Sequence, residues 1–192
     1  MIIHNQPMAD TTPKRQCVKK NSFLLNLIYL WILGACIGAI LACGTFVAPV
    51  IFKAYTLLPD LGITQYDSGI LMTQVFLKLG TFLNYTAIFI IIYRIFSLDY
   101  STKSGIFALV LDISSVSLIF LFTLYYASQI LKAQQIGAAA TGTPEFASLH
   151  SQSETTFKIL FILLSLSFIY HFFRFCQAQK SMQESTQKGA SA

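Results

Sequence analysis

Four long apolar segments constrain this chain more than any other feature of its sequence. The first runs from Phe23 to Phe52 without a charged residue. A helix rises about 1.5 Å per residue and the hydrocarbon core of a bilayer is about 30 Å thick, so about 20 such residues cross it. The sequence therefore predicts an all-α polytopic membrane protein, a four-transmembrane-helix bundle whose spans cover about residues 23–48, 75–96, 106–127 and 157–176.

The composition supports a membrane protein over a soluble one. Charged residues make up 11% of the 192 residues, against about 25% in a soluble domain, and the mean hydropathy is +0.63. Four cysteines are too few for a disulfide scaffold. A cleaved signal peptide is the alternative for the first segment, but that segment is about twice as long as a signal peptide's apolar region, which favours a retained anchor.

Basic residues predict the orientation of the bundle. Residues 1–22 form a polar basic tail and residues 177–192 a second tail. If both tails are cytoplasmic, nine basic residues lie on the cytoplasmic side and four outside, which is the asymmetry that membrane insertion favours. Short loops and a short chain suggest the cytoplasmic membrane of a bacterium, and no motif indicates a nucleic-acid partner. The nine are Lys14, Arg15, Lys19, Lys20, Arg94, Lys103, Arg174, Lys180 and Lys188.

The connections between the spans differ in length. Pro49 is expected to end the first span, because proline removes a helix hydrogen bond. Residues 97–104 leave room only for a tight turn between the second and third spans. The connection over residues 130–156 is long, and apolar residues spaced by three or four in its second half predict a helix that leads into the fourth span.

A row of small residues marks the first span. Gly34, Gly38 and Ala42 are spaced by four, so they share one helix face. Small residues let helix backbones approach closely in lipid. Packing within the bundle is favoured over packing against a second copy of the chain.

One acidic residue lies well inside a span. Asp112 is about 12 Å from the start of the third helix, and Asn84 on the second is expected at a similar depth. With His171 they form a predicted intramembrane polar cluster, because an acid in the bilayer is costly and is functional by default. The alternative is a protonated Asp112 that only links helices. Arg94 and Arg174 either lie at the mouth of this cluster or, as the helix-end position favours, reach outward to the membrane surface.

No catalytic pattern accompanies these residues. The sequence has no paired intramembrane histidines for haem, no zinc motif, no nucleophile turn and no phosphate-binding loop. It therefore predicts no enzyme, no metal and no cofactor. The leading interpretation is an accessory or interaction subunit whose partner is a second copy or another membrane protein. The alternative is a proton- or cation-coupled transporter or channel element that uses Asp112.

Two short motifs resemble a known family. The first is Gly-Thr-Phe-Val-Ala-Pro-Val-Ile-Phe at 44–52, with Gly69 and Phe76 downstream, and the second contains Phe146 and a Leu-His pair before the last span. This order is similar to that of the transmembrane-protein-205-like family, a four-helix membrane group of unknown function. The resemblance implies that six residues lie together at the outer face: Phe46, Pro49, Phe52, Leu149, His150 and Ser153.

Overall fold

The protein is a bundle of four membrane-spanning helical stretches. A computed structural model describes residues 13–96 and 103–190, and within these ranges it contains helices and no strand. Four stretches are long and apolar enough to cross a membrane, and each contains one of the predicted spans. They are Phe23–Phe52, Gln65–Phe96, Gly105–Ile136 and Pro144–Ser181. The short connection predicted over residues 97–104 falls largely outside the described residues.

The first stretch continues past its proline. Helix α1 (Pro13–Ala42) leads into a π-helical turn (Cys43–Val47) and then into α2 (Ala48–Phe52), so Pro49, at which the first span was expected to end, does not end the helix. A proline ring clashes with the carbonyl four residues earlier, and its nitrogen donates no hydrogen bond. The wider π turn directly before Pro49 changes the hydrogen-bond register there, so the proline fits without ending the helix.

The link to the second stretch is compact. Helix α3 (Ala54–Leu57) is followed by one 3-10 turn (Pro59–Leu61), and Gly62 takes the left-handed backbone that glycine adopts easily, with φ of 63°. Helix α4 (Gln65–Phe96) then begins. The Asp67 carboxylate accepts hydrogen bonds from the backbone nitrogen and the hydroxyl of Thr64, which caps this helix start.

The second half of the chain has the same pattern of interrupted helices. Helix α5 (Lys103–Phe120), a π-helical turn (Leu121–Tyr126) and α6 (Ala127–Ile136) form the third stretch. The short α7 (Ala138–Thr141) precedes α8 (Pro144–Ala190), the longest helix. The prediction of a helix leading into the fourth span is confirmed, because α8 begins well before residue 157.

The two described ends of the chain lie at the same end of the bundle. The ring of Phe23 on α1 is 5.2 Å from that of Phe175 on α8, and we call this end the terminal end. The opposite end carries α3 and α7, and we call it the loop end. Between them, apolar side chains of α1, α4, α5 and α8 form one continuous core, whose fully buried members include Leu33, Cys36, Leu83, Ala87, Ile119, Leu160 and Leu164.

Candidate functional site

A buried acid lies in the half of the bundle nearest the terminal end. Asp112 on α5 is 1% exposed, and three side chains surround its carboxylate. Arg94 Nε donates to Oδ2 at 2.5 Å, and Ser167 Oγ donates to Oδ1 at 2.5 Å. His171 Nε2 lies 3.4 Å from Oδ2. These four residues, which we call the Asp112 cluster, join α4, α5 and α8.

Arg94 does not behave as the sequence suggested. Its side chain is only 13% exposed and pairs with Asp112 inside the bundle, so the prediction that it reaches the membrane surface is wrong. An unpaired carboxylate in this buried position would be costly, and an arginine one helix away can compensate it with a charged hydrogen bond. Pairing with the buried acid therefore outweighs hydration at the surface.

His171 stands between the two opposite charges. Its Nε2 lies 3.3 Å from Arg94 Nη2 as well as 3.4 Å from the Asp112 carboxylate. A ring nitrogen without a proton accepts a hydrogen bond, whereas one with a proton donates. Nε2 can therefore accept from Arg94 in one protonation state and donate to Asp112 in another. The arrangement has the parts needed to exchange a proton.

Aromatic side chains close the cluster on the side of α1. The ring of Tyr29 stacks on that of Tyr93 with centroids 3.8 Å apart, and it meets the His171 ring edge-on at 4.8 Å. The Tyr93 hydroxyl donates to Asn26 at 2.7 Å. The buried Tyr29 hydroxyl interacts electrostatically with Asp112 but completes no hydrogen bond within the described part of the chain. All four membrane-spanning stretches thus contribute to the surroundings of Asp112.

Asn84 is not brought to the cluster. Its side-chain oxygen accepts a hydrogen bond from the Thr123 hydroxyl at 2.8 Å. Thr123 follows Asp112 by about three helical turns, or about 16 Å, in the third stretch. The expectation of equal depth for Asn84 and Asp112 counted residues from Arg94 as the inner end, but Arg94 itself pairs with Asp112. The polar groups therefore form two separate layers.

A comparison with known families finds one family that covers more than half of the chain. The sequence profile of a domain of unknown function, DUF4149, matches residues 31–139, more than half of the chain. The chain belongs to the DUF4149 family. No match was found among curated proteins or among solved structures.

The DUF4149 region holds only part of the Asp112 cluster. It includes Arg94 and Asp112, whereas Ser167 and His171 lie beyond its end on α8. Tyr29 precedes its start. The ion pair is therefore a feature of the DUF4149 part of the chain, and the histidine reaches it only because α8 packs against α5.

The row of small residues in the first span is only partly covered by the other described helices. A Cβ atom added at Gly34 would lie 3.6 Å from the ring of Phe168 on α8, which is ordinary contact. At Gly38 a Cβ would meet nothing within 4 Å, and the residue is exposed. Ala42 is half-buried. Packing within the chain therefore accounts for one end of the row and not for its middle.

The residues of the predicted outer-face motif lie at or near the loop end with different surroundings. The ring of Phe52 meets that of His150 edge-on at 6.2 Å, which joins α2 to α8. Ser153 is buried and donates to the carbonyl of His150 on its own helix. Phe46 is 71% exposed, whereas Leu149 is half-buried and Pro49 is exposed.

Sequence reasoning predicted His171 but missed four residues in the surroundings of Asp112: Ser167, Asn26, Tyr29 and Tyr93. Ser167 is spaced by four from the predicted His171 on α8, and Asn26 and Tyr29 by three on α1, so each pair shares one helix face. These spacings mark polar or amphipathic faces inside apolar helices and were the available signal. Tyr93 is the fourth, and its position next to Arg94 gave no such periodic signal.

The described residues offer no metal centre. Across 13–96 and 103–190, no three or more side chains of His, Cys, Asp or Glu come together in a way that could hold a metal ion. Of the histidines in the described ranges, His171 is the one beside Asp112, and its ring also faces the Arg94 guanidinium.

Proposed function

We propose that this membrane protein is a proton-coupled transport element that works through the Asp112 cluster. The observation that carries the proposal is the position of His171 Nε2 within 3.4 Å of both the Asp112 carboxylate and the Arg94 guanidinium. Ionisable residues inside membrane helices are costly and mark ion or proton pathways. An imidazole is the side chain that most readily gains and loses a proton near neutral pH.

Coupling to a proton is favoured over coupling to a metal cation. Arg94 already holds a full positive charge against Asp112. A cation that bound there would have to displace the guanidinium or face its repulsion. A proton requires no such displacement, because it can join the ring of His171 beside the existing ion pair.

The proposed step changes which partner His171 engages. With a bare Nε2, the ring accepts a hydrogen bond from Arg94. When Nε2 carries a proton, it donates to Asp112 and repels the guanidinium. Arg94 lies two residues before the last described residue of α4, so its release toward the membrane surface would alter the packing of α4 against α5 and α8.

Proton flux in liposomes tests this proposal. The purified chain is reconstituted with a pH-sensitive dye inside, and a potassium gradient with valinomycin imposes a potential. Wild type is expected to carry flux above empty liposomes, and Asp112→Asn and His171→Gln to lose most of it. Ser165→Ala is the matched control, because Ser165 is on α8 and its hydroxyl donates to the Phe161 carbonyl of the same helix. Flux retained by both variants, or absent from wild type, rejects proton coupling.

An accessory or interaction subunit is the second candidate, and the open face at Gly38 favours it. Small residues that no described helix of the same chain covers are suited to close packing with another membrane helix. The partner would be a second copy of this chain or another membrane protein. Neither candidate is an enzyme, and neither needs a cofactor or a nucleic acid. Crosslinking of a Gly38→Cys variant in native membranes tests this candidate, and a strictly monomeric product without other partners counts against it.

The membrane, the orientation and a family relationship are also part of this proposal. A multi-pass position in the cytoplasmic membrane of a bacterium, with both termini cytoplasmic, is supported by the distribution of basic residues. Kinship with the transmembrane-protein-205-like family is supported by the order of its two motifs and by the contact between Phe52 and His150. The contact is consistent with a shared outer face for the two motifs.

A further inference from the structure

One hydroxyl beside the Asp112 cluster is buried without a hydrogen bond. Tyr29 on α1 is 1% exposed, and its hydroxyl has no hydrogen-bond partner within the described residues. Most buried hydroxyls in folded proteins are paired, because an unpaired one has lost its hydrogen bonds to water without replacement. A phenylalanine at this position would make the same ring contacts without that cost. Packing alone therefore does not explain the hydroxyl of Tyr29.

Two ring contacts hold this side chain beside the cluster. The Tyr29 ring stacks on that of Tyr93 with an interplanar angle of 17°, and it meets the His171 ring at 68°. Its hydroxyl lies close enough to the Ser167 hydroxyl and the Asp112 carboxylate to interact with both, although neither contact has the geometry of a hydrogen bond. Tyr29 therefore places a donor next to the carboxylate that links the helices of the cluster.

The Asp112 carboxylate has room for this donor. A carboxylate has two oxygens with about four lone-pair sites in total. Arg94 donates to Oδ2 and Ser167 to Oδ1, while His171 also faces Oδ2. Even if His171 donates as well, these described contacts use three of the four sites. The Tyr29 hydroxyl, a donor without an acceptor, is complementary to the site that is left.

We propose that Tyr29 donates a hydrogen bond to Asp112 when Arg94 is released from the carboxylate. The inference rests on the proposed function, in which a proton added to His171 repels that arginine. The proton comes from water and binds to the imidazole, while Tyr29 keeps its own proton. The new hydrogen bond stabilises the released state, because it partly replaces the guanidinium as a donor. Tyr29 is thus a positioning residue that sets the pH at which Arg94 is released.

The direction of this effect follows from the groups around the hydroxyl. Among the described residues, the ionisable groups that contact Tyr29 or act on it are Arg94 and Tyr93 on α4, Asp112 on α5 and His171 on α8. Of these, the imidazole is the group whose ordinary pKa lies near neutral pH. A bond that forms only when His171 is protonated favours that protonation. Loss of the bond therefore lowers the pH at which Arg94 is released.

Tyr29→Phe tests the proposal, because it removes the hydroxyl and keeps the ring. Proton flux of the reconstituted full chain is measured as a function of pH. The pH of half-maximal flux is expected to fall by about one unit, a tenfold change, because a hydrogen bond to a charged group contributes at least that much. Tyr126→Phe is the matched control. It removes a buried hydroxyl that is paired with Gln152 in another part of the bundle, and it should leave this pH unchanged.

Infrared difference spectroscopy with isotope-labelled tyrosine gives a readout that does not need flux. On acidification, wild type and Tyr126→Phe should show a shift of one tyrosine C–O band, and Tyr29→Phe should lack it. The proposal is overturned if wild type shows no such shift, if Tyr29→Phe keeps it, or if Tyr29→Phe leaves the pH of half-maximal flux unchanged. Wild type without flux rejects the proposed function instead, and the tyrosine band then still decides whether Tyr29 gains a hydrogen bond.

Discussion

Asp112 is tolerated inside the bundle because several neighbours compensate its charge. Arg94 supplies a countercharge, and Ser167 donates a second hydrogen bond to the carboxylate. Burial of an ion pair removes two groups from water, and the attraction offsets that cost only when the remaining hydrogen bonds are made. The sequence placed Asp112 inside a span and Arg94 at the mouth of its cluster, but it did not predict that the two pair.

Removal of one charge is expected to cost more stability than removal of both. Asp112→Leu leaves Arg94 buried without its partner and should lower the free energy of unfolding by about 3–5 kcal/mol. The double variant Arg94→Met with Asp112→Leu should come close to wild type or exceed it. Thermal unfolding in one detergent, followed by circular dichroism, compares the three proteins. A double variant as unstable as Asp112→Leu would show that the unpaired charge of Arg94 does not cause the loss of stability.

The double variant also separates stability from activity. If the Asp112 cluster only holds helices together, a well-folded double variant should carry the same proton flux as wild type. If it transfers protons, the same well-folded variant should carry no proton flux. Its stability and flux together therefore distinguish a structural ion pair from a working one.

At the level of elements, the helices owe their shape to local interruptions and close contacts. The π-helical turn Cys43–Val47 precedes Pro49, and a second one, Leu121–Tyr126, contains Thr123. Thr123 lies against α4 at Gly80, where an added Cβ atom would be 3.2 Å from its Cγ2. The approach of the two helices at this level depends on a residue without a side chain. It also allows the hydrogen bond between Thr123 and Asn84.

Gly80→Ala is expected to destabilise this contact. The new methyl group must displace Thr123, and overpacking of this kind costs about 1–3 kcal/mol. Gly38→Ala is the control, because nothing lies within 4 Å of its Cβ position, and alanine is the better helix former, so it should be neutral or slightly stabilising. Unfolding of the two variants under identical conditions makes the comparison. Equal stability of both would mean that α4 and the third stretch can separate at no cost.

At the scale of the whole molecule, an even number of crossings places both described chain ends on one side. The contact between Phe23 and Phe175 brings the start of the first stretch beside the end of the fourth. Arg94 was one of the basic residues that predicted the orientation, and its burial removes it from that count. The remaining basic residues keep the same asymmetry, because most of them lie near the terminal end.

An accessibility experiment checks this topology. A short tag inserted at Gly142 should be reached from the periplasm, and the same tag after residue 190 only after the membrane is permeabilised. The physical reason is the excess of lysine and arginine near the terminal end, which inserts on the cytoplasmic side. Labelling of the Gly142 tag from the cytoplasm would reverse the orientation, and labelling of both tags from one side would contradict the four-crossing bundle.

The sequence by itself determined the class of the protein, the four membrane-spanning stretches and the presence of Asp112 inside one of them. These features follow from length, hydropathy and the location of charges along the chain, which are local properties. It also indicated the helix that precedes the fourth span.

Only the tertiary structure decided which polar residues meet. The depth of a residue counted from a helix end does not give the level at which neighbouring helices pair, because that register depends on packing between them. Arg94 therefore lies beside Asp112, while Asn84 pairs with Thr123 in another layer. Pro49 shows that prediction from a single residue is also limited locally, because the π turn before it lets the helix continue.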